Sequence, residues 1–517
     1  MSIRNILGKY SAISMILGFM SIFFLIILLL SITTFAGVVV FLFGILYILY
    51  FGFLQNDPNK VIFLFTIATL FFPQGKSYNS ILFSYEVWNI TPFLFVQIIT
   101  AIPILLQIIR KTDLAALPTK SRTILNLLVF SLFLYMLLDI AYLCISLLAK
   151  QEFLGVIFAG YIELFSSVIF FYGCLVFIRT KKQLNILLYL MLIASIEMGV
   201  EAYLYGILEL HLPRYENVIN NEFENKFISL IYGDYAKLVY IQYAGIAIAL
   251  YFYLIKKNIY YLLLLPLQIL PLLLTYQRTP MIAVTIIFVL IYLIFNRKII
   301  GKILLCGIVS LCVFFFQDII IFIAAQGLID LGQFKVNYFV IDQALGSGID
   351  RVGLAFRGIE IFISNFPFGI GTNYTRFTDF MISKDVPSYF KTFLEQNIPD
   401  AKVYYQDITL NGIRTDTHNF LIFFLVQFGL LGLIIEAKFV HICYNTISRI
   451  KSSILKGTKR YSRYRLSIIA LTFMAASFFS FFFQSAMPYT ILFLFTFIMI
   501  FDNQVDFDQK STLNFQS

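Results

Sequence analysis

The chain has 517 residues, 60% of them apolar and only 13% charged, with a mean hydropathy of +0.87. Soluble domains carry roughly 25% charged residues, so this composition excludes a soluble protein and requires burial in lipid. The formal net charge of +10 does not point to a nucleic-acid partner. The basic residues sit in short loops between apolar runs, as Arg110/Lys111/Lys120/Arg122, Arg179/Lys181/Lys182, Lys256/Lys257, Arg297/Lys298/Lys302 and the stretch 449–465. That is the positive-inside pattern of cytoplasmic loops, not a basic binding face.

In chain order, Arg4 and Lys9 precede an apolar run too long for a cleavable leader, which reads as a retained first span. A membrane-crossing helix needs roughly 20 apolar residues to cover about 30 Å of hydrocarbon. Such runs fall near 12–31, 35–54, 60–73, 91–109, 123–148, 153–178 and 184–208. They continue near 236–255, 258–275, 279–296, 303–326, 418–440, 466–485 and 488–502. The fold class is therefore an all-α polytopic membrane protein with about fourteen spanning helices. The third run is short, and the first two are separated only by 31–37. Cys144, Cys174, Cys306, Cys312 and Cys443 all lie in apolar runs without metal-ligand spacing and read as small core residues.

With every basic loop in the cytoplasm the alternation of sides stays consistent, Lys150 being the one short-loop exception. Both termini are then cytoplasmic, and 74–90, 209–235 and 327–417 lie outside. The organisation expected is eleven spans over 1–326, a large extracytoplasmic loop over 327–417, three spans over 418–502 and a cytoplasmic tail over 503–517. A structureless loop as long as 327–417 would be unusual, and loops of that length normally carry function. Its early part, 345–366, has apolar residues spaced with Arg351, Arg357 and Glu360 as in an amphipathic helix lying on the membrane surface. The stretch 379–413 is polar and tyrosine-bearing, suited to covering a groove. Tyr404 and Tyr405 could stack on sugar rings, although ordinary loop packing is the plainer reading.

Four fragments stand out: Gln277-Arg278-Thr279, Arg357, the run Phe366-Pro-Phe-Gly369-Ile-Gly371, and Thr417-His418-Asn419 leading into Gln427-Phe-Gly429-Leu-Leu-Gly432. Arg278 falls in a very short break between two spans, at the outer boundary. A charge at that depth either snorkels or faces a polar cavity or partner. Arg357 precedes a turn whose glycines allow close approach to a ligand or to the next element. Thr415, Asp416 and Thr417 are good capping types ahead of the apolar run that His418 opens. In the first turn of a helix the dipole would keep His418 neutral near physiological pH and able to accept a proton. Asp139, Glu163, Glu197, Glu201 and Asp318 lie within apparent spans and are expected to face the protein interior.

The order and common sidedness of these fragments, over roughly 272–433, resemble the O-antigen polymerase and ligase superfamily of bacterial membrane glycosyltransferases. Gln277 departs from the family pattern, which often has a small residue such as serine there. The resemblance implies a glycosyltransferase C type fold acting on undecaprenyl-diphosphate-linked glycans at the outer face of the bacterial cytoplasmic membrane, without metal or other cofactor. It implies that Arg278 and Arg357 match the family's essential arginines and His418 its essential histidine. Arg351, Arg376 and Arg414 would supplement diphosphate binding, and Asn419 would join the substrate-binding set.

The chemistry fits these residue types. Moving a glycan from a lipid diphosphate to a hydroxyl needs cations on the leaving group and a base at the attacking oxygen. Arginine supplies fixed donors whose charge is constant over the working pH range. The expected activity is polymerisation of lipid-linked repeat units, with a lipid-linked donor and acceptor, membrane lipids and a chain-length regulator as partners, and no nucleic acid. A ligase passing polymer to a lipid A core, or a lipid-linked oligosaccharide flippase, are the alternatives. A flippase would place its functional charges near mid-membrane.

Overall fold

The computed structural model describes residues 57–71, 92–111, 154–178, 180–206, 235–256, 258–275, 278–295, 341–371, 386–397, 419–455 and 465–481, with isolated positions elsewhere such as Phe380 and Ser383. Among the described residues all regular structure is helical. The elements are α1 (Pro58–Phe71), α2 (Pro92–Lys111), α3 (Leu154–Phe177), α4 (Lys181–Gly206), α5 (Tyr235–Lys256), α6 (Tyr260–Leu263), α7 (Leu265–Leu274) and α8 (Arg278–Phe295). These are followed by α9 (Ile341–Ser364), α10 (Lys391–Asn397), α11 (Phe420–Leu455) and α12 (Arg465–Phe481).

Several starts follow from local chemistry. α1 opens on Pro58, whose missing N–H costs nothing at that position, while the Asp57 carboxylate accepts from the Lys60 amide at 3.3 Å. At α4, Thr180 and Gln183 form a reciprocal capping box. The Gln183 amide donates to the Thr180 hydroxyl at 3.3 Å, and the Thr180 amide donates to Gln183 Oε1 at 3.0 Å. Pro266, near the start of α7, sets that helix off from α6.

The core is a bundle centred on α4, α5 and α7, flanked by α1, α2, α3, α8 and α12. Lipid offers no hydrophobic drive between such helices, so small residues and buried hydrogen bonds hold them. Ser195 donates to Gln242 Oε1 at 2.6 Å, and Gln242 Nε2 returns a bond to the Ser195 carbonyl at 3.1 Å, tying α4 to α5. Tyr243 and Ser480 join α5 to α12 at 3.0 Å. Gly199 lets α4 lie directly on α7, since a Cβ there would stand 2.2 Å from the Leu267 carbonyl oxygen. Gly199→Ala therefore forces α4 and α7 apart, a loss of about 1–3 kcal/mol. A lowered unfolding temperature of the detergent-solubilised protein checks this; an unchanged one contradicts the close contact.

Three described helical stretches are long and apolar enough to cross a membrane, Lys182–Leu204, Leu238–Lys256 and Phe420–Ser452. The chain is a membrane protein. Runs expected at 60–73, 91–109, 153–178, 184–208, 236–255, 258–275, 279–296 and 466–485 each coincide with described helix. Those at 12–31 and 303–326, and all but isolated positions of 35–54, 123–148 and 488–502, lie outside the described residues.

Two elements differ from the sequence reading in an instructive way. Hydropathy ends the twelfth run at 440, yet α11 stays helical to Leu455. Apolar content marks where lipid ends rather than where a helix ends, and the buried stripe Ile442, Thr446, Ile450 keeps one face of α11 inward beyond the apolar part. The amphipathic helix expected over 345–366 exists as α9, with its apolar face on protein. Leu354 and Ile361 pack with Phe423 and Val426 of α11, together with Ile370 and Val386, in a small core of their own.

Candidate active site

The site is built on α9, the turn that follows it, and the first third of α11. α9 ends where Asn365 Nδ2 donates to the Ile361 carbonyl at 2.8 Å and the Gly369 amide closes onto the Asn365 carbonyl at 2.9 Å. The chain then runs alongside α11 through the Phe366 to Gly371 turn. α11 is broken at Gly429, whose φ of 55° and ψ of −134° are not helical. The break frees backbone groups, and the turn takes them up. Ile370 N–H donates to the Val426 carbonyl at 2.9 Å, Gly371 N–H to the Gln427 carbonyl at 3.0 Å, and Leu430 N–H to the Pro367 carbonyl at 2.8 Å.

This splice requires glycine on both sides. A Cβ on Gly429 would meet the Pro367 oxygen at 2.3 Å, and one on Gly369, itself at φ 73°, would meet the Gly429 nitrogen at 2.6 Å. The close approach allowed by the sequence is thus to the next element, α11. Non-helical backbone within an apolar helix persists only where protein or a polar cavity satisfies it, and here the turn does so.

Depth can be gauged along the helices. Phe439 of α11 stacks on Phe478 of the neighbouring α12, at 6.2 Å between ring centroids. Thirteen residues of α12 separate Phe478 from Arg465 and ten of α11 separate Phe439 from Gly429, together about 35 Å at about 1.5 Å per residue. The break therefore stands roughly one hydrocarbon thickness from the level of Arg465.

Arg357 lies inside this assembly. It is 1% exposed, and each terminal nitrogen of its guanidinium serves two acceptors. Nη1 donates to Glu360 Oε2 at 3.0 Å and to the Val386 carbonyl at 3.2 Å; Nη2 donates to the carbonyls of Ser383 at 2.9 Å and Phe380 at 3.4 Å. Glu360 is fully buried, and its Oε1 accepts from the Phe390 amide at 2.9 Å. Phe356 packs on Phe390 and Phe393, which seats α10 against α9.

Asn419 is nine-tenths buried and caps α11. Its Oδ1 accepts from the Ile422 amide at 3.1 Å, and its carbonyl from the Phe423 amide at 2.9 Å. The cap is thus Asn419, where the sequence reading favoured 415–417, and the described helix begins at Phe420, after His418. The physical reason is register: an N-cap oxygen must reach an amide two or three residues ahead, and Asn419 does so.

Arg278 is the first residue of α8, and Arg351 lies about three turns into α9; for both the structure describes the backbone position. Arg376, Arg414 and His418, with Tyr404, Tyr405, Asp139 and Asp318, lie outside the described residues. Glu197 and Glu201 are buried one turn apart on α4. Glu360 is the participant that sequence reading passed over. Its signal was present, since it follows Arg357 at the i,i+3 spacing of a helical ion pair.

Residues 259–436 match the family model described as O-antigen ligase. The segment, about a third of the chain, runs from the threshold of α6 past the break in α11 and encloses α8, α9 and the splice. No curated protein matches the chain.

Proposed function

We propose that this protein, a member of the O-antigen ligase and polymerase superfamily through residues 259–436, polymerises undecaprenyl-diphosphate-linked repeat units into O-antigen or a related surface polysaccharide. The family match carries the reading, because the matched segment is the one that folds α9 and its turn onto the broken helix. In this reading Arg278 bears on the departing diphosphate and His418 takes the proton of the attacking hydroxyl. The bond from the anomeric carbon to the diphosphate oxygen breaks, the diphosphate leaves with the electron pair, and the acceptor oxygen forms the new glycosidic bond. Arg351, Arg376 and Arg414 supplement the positive field around the leaving group, and no metal is needed for that charge. Arg357 belongs to the same machinery. Asn419 sets the direction in which the chain carrying His418 enters α11.

A glycosyltransferase C type architecture with about fourteen spans, cytoplasmic termini and an outward-facing site belongs to the same reading, as does a chain-length regulator as partner. With Arg465 at the cytoplasmic boundary, the break at Gly429 comes to the outer boundary, where a lipid diphosphate lies. A flippase is less well supported. Measured from Lys181 at the cytoplasmic end, Glu197 and Glu201 stand about 24 and 30 Å along α4 at about 1.5 Å per residue, beyond the midpoint of the helix on its outer side.

The matched family, described as O-antigen ligase, makes a ligase the second reading. Both are tested in a strain lacking the gene. Loss of a polymerase leaves single repeat units on the lipid A core, and the chain restores a ladder. Loss of a ligase leaves long polymer on its lipid carrier and none on the core, and that outcome would overturn the polymerase reading.

A further inference from the structure

We infer that Glu360 is a positioning residue for the transfer reaction, acting with Arg357 as a buried charge clamp that fixes Phe380, Ser383, Val386 and Phe390 against α9. The inference rests on the glycosyl-transfer reading, but its geometry is independent of it. Two side chains from one helical turn reach four backbone groups far along the chain: the carbonyls of Phe380, Ser383 and Val386 through Arg357, and the amide of Phe390 through Glu360. Backbone carbonyls and amides taken out of water must find partners within the protein. A buried guanidinium in turn needs a counter-charge and several acceptors. Each requirement is met by the other.

The clamped segment leads straight into α10, and Val386 within it joins Ile370, Phe423 and Val426 in the small core shared with α11. α9 is therefore tied to the broken helix by two routes, the turn after its C-terminus and the segment held by the clamp. Arg357 acts through what it holds. A diphosphate reaching its terminal nitrogens would have to displace four acceptors already supplied by the protein.

The test compares Arg357→Lys, Glu360→Gln and the pair Arg357→Met and Glu360→Met, singly and combined, in the purified full-length protein extending a defined undecaprenyl-diphosphate-linked repeat unit. A clamp predicts that Arg357→Lys and Glu360→Gln each lower kcat by about tenfold or more with little change in KM. Lysine has its three donors on a single nitrogen and cannot span the positions of both guanidinium termini, and glutamine lacks the charge that the cation needs. The combined Met variant should lose about as much as either single one, because both break the same unit. Trypsin cleavage at the exposed Lys391 should accelerate in all of them. Full activity in Glu360→Gln alongside a raised KM in Arg357→Lys would overturn the clamp in favour of direct substrate contact. So would losses that multiply in the combined variant. If the combined variant does not fold, the two conservative variants decide the matter. If the wild-type chain extends nothing, the transfer reading fails on its own, and unaltered cleavage at Lys391 in Glu360→Gln would still overturn the clamp.

Discussion

Gly429→Ala is expected to reduce polymer formation by about a hundredfold, the scale of loss when reacting groups shift by about an ångström. A non-glycine residue held at a positive φ of this kind costs about 1–3 kcal/mol by itself. The added methyl would also stand 2.3 Å from the Pro367 oxygen and 2.7 Å from the Gly369 nitrogen. The turn must then leave α11, breaking three backbone hydrogen bonds worth about 1 kcal/mol each and leaving the freed groups without partners. Gly369→Ala should do nearly the same, since it meets α11 from the other side at 2.6 Å. Gly432→Ala is the internal comparison. Its nearest neighbours stand at 3.0 and 3.1 Å, so small adjustments accommodate it and its loss should be much smaller. Polysaccharide ladders from cells with matched protein levels check the series. Equal activity of the Gly429 and Gly432 variants would show that the splice does not set the site's geometry.

His418→Ala is expected to lower the transfer rate by about 10²–10⁴-fold, the range typical of a lost general base. A base works only in its neutral form. The wild-type rate should therefore fall as pH drops through the histidine range, near about 6.5 for an unperturbed imidazole, while the residual rate of the variant should lose that limb. If His418 instead orients the acceptor through a hydrogen bond, His418→Gln should recover a substantial part of the rate. Recovery by glutamine with the pH limb intact would remove the base role and leave the positioning one. Arg278→Ala, by contrast, should depress the rate at every pH, because arginine stays charged throughout.

Much of this architecture was legible in the sequence because lipid imposes simple demands. Length and apolarity reveal spans, and eight of the expected runs coincide with described helix. The periodicity of 345–366 revealed α9, and the glycines after Phe366 announced a close approach. The break at Gly429 was hidden because hydropathy records composition and carries no information on φ, and a lone glycine in an apolar run is ordinarily tolerated within a helix. The partners of Arg357 were hidden for a different reason. A charged residue on an amphipathic loop helix usually faces water, and only tertiary structure brings the carbonyls of Phe380, Ser383 and Val386 to it. The cap was misplaced by a few residues because threonine, aspartate and asparagine are all good capping types, and 415–419 holds four of them.

In the proposed reaction the supporting geometry rests on two junctions that local sequence only hints at: the glycine splice between the turn and α11, and the Arg357–Glu360 charge pair. Both lie in or next to the segment that matches the O-antigen ligase family, and neither requires the N-terminal helices to touch substrate. Those helices carry the close-packed interior of the bundle and provide the platform against which α8 and α12 are set.

The most direct test of the account is extension of a defined undecaprenyl-diphosphate-linked repeat unit by the purified protein in detergent or nanodiscs, with chelator present. The account predicts a ladder of lipid-linked products from the wild-type chain and its collapse to the starting unit with Arg278→Ala. A wild-type chain that leaves the repeat unit unextended, yet transfers preformed polymer to a lipid A core, would contradict it.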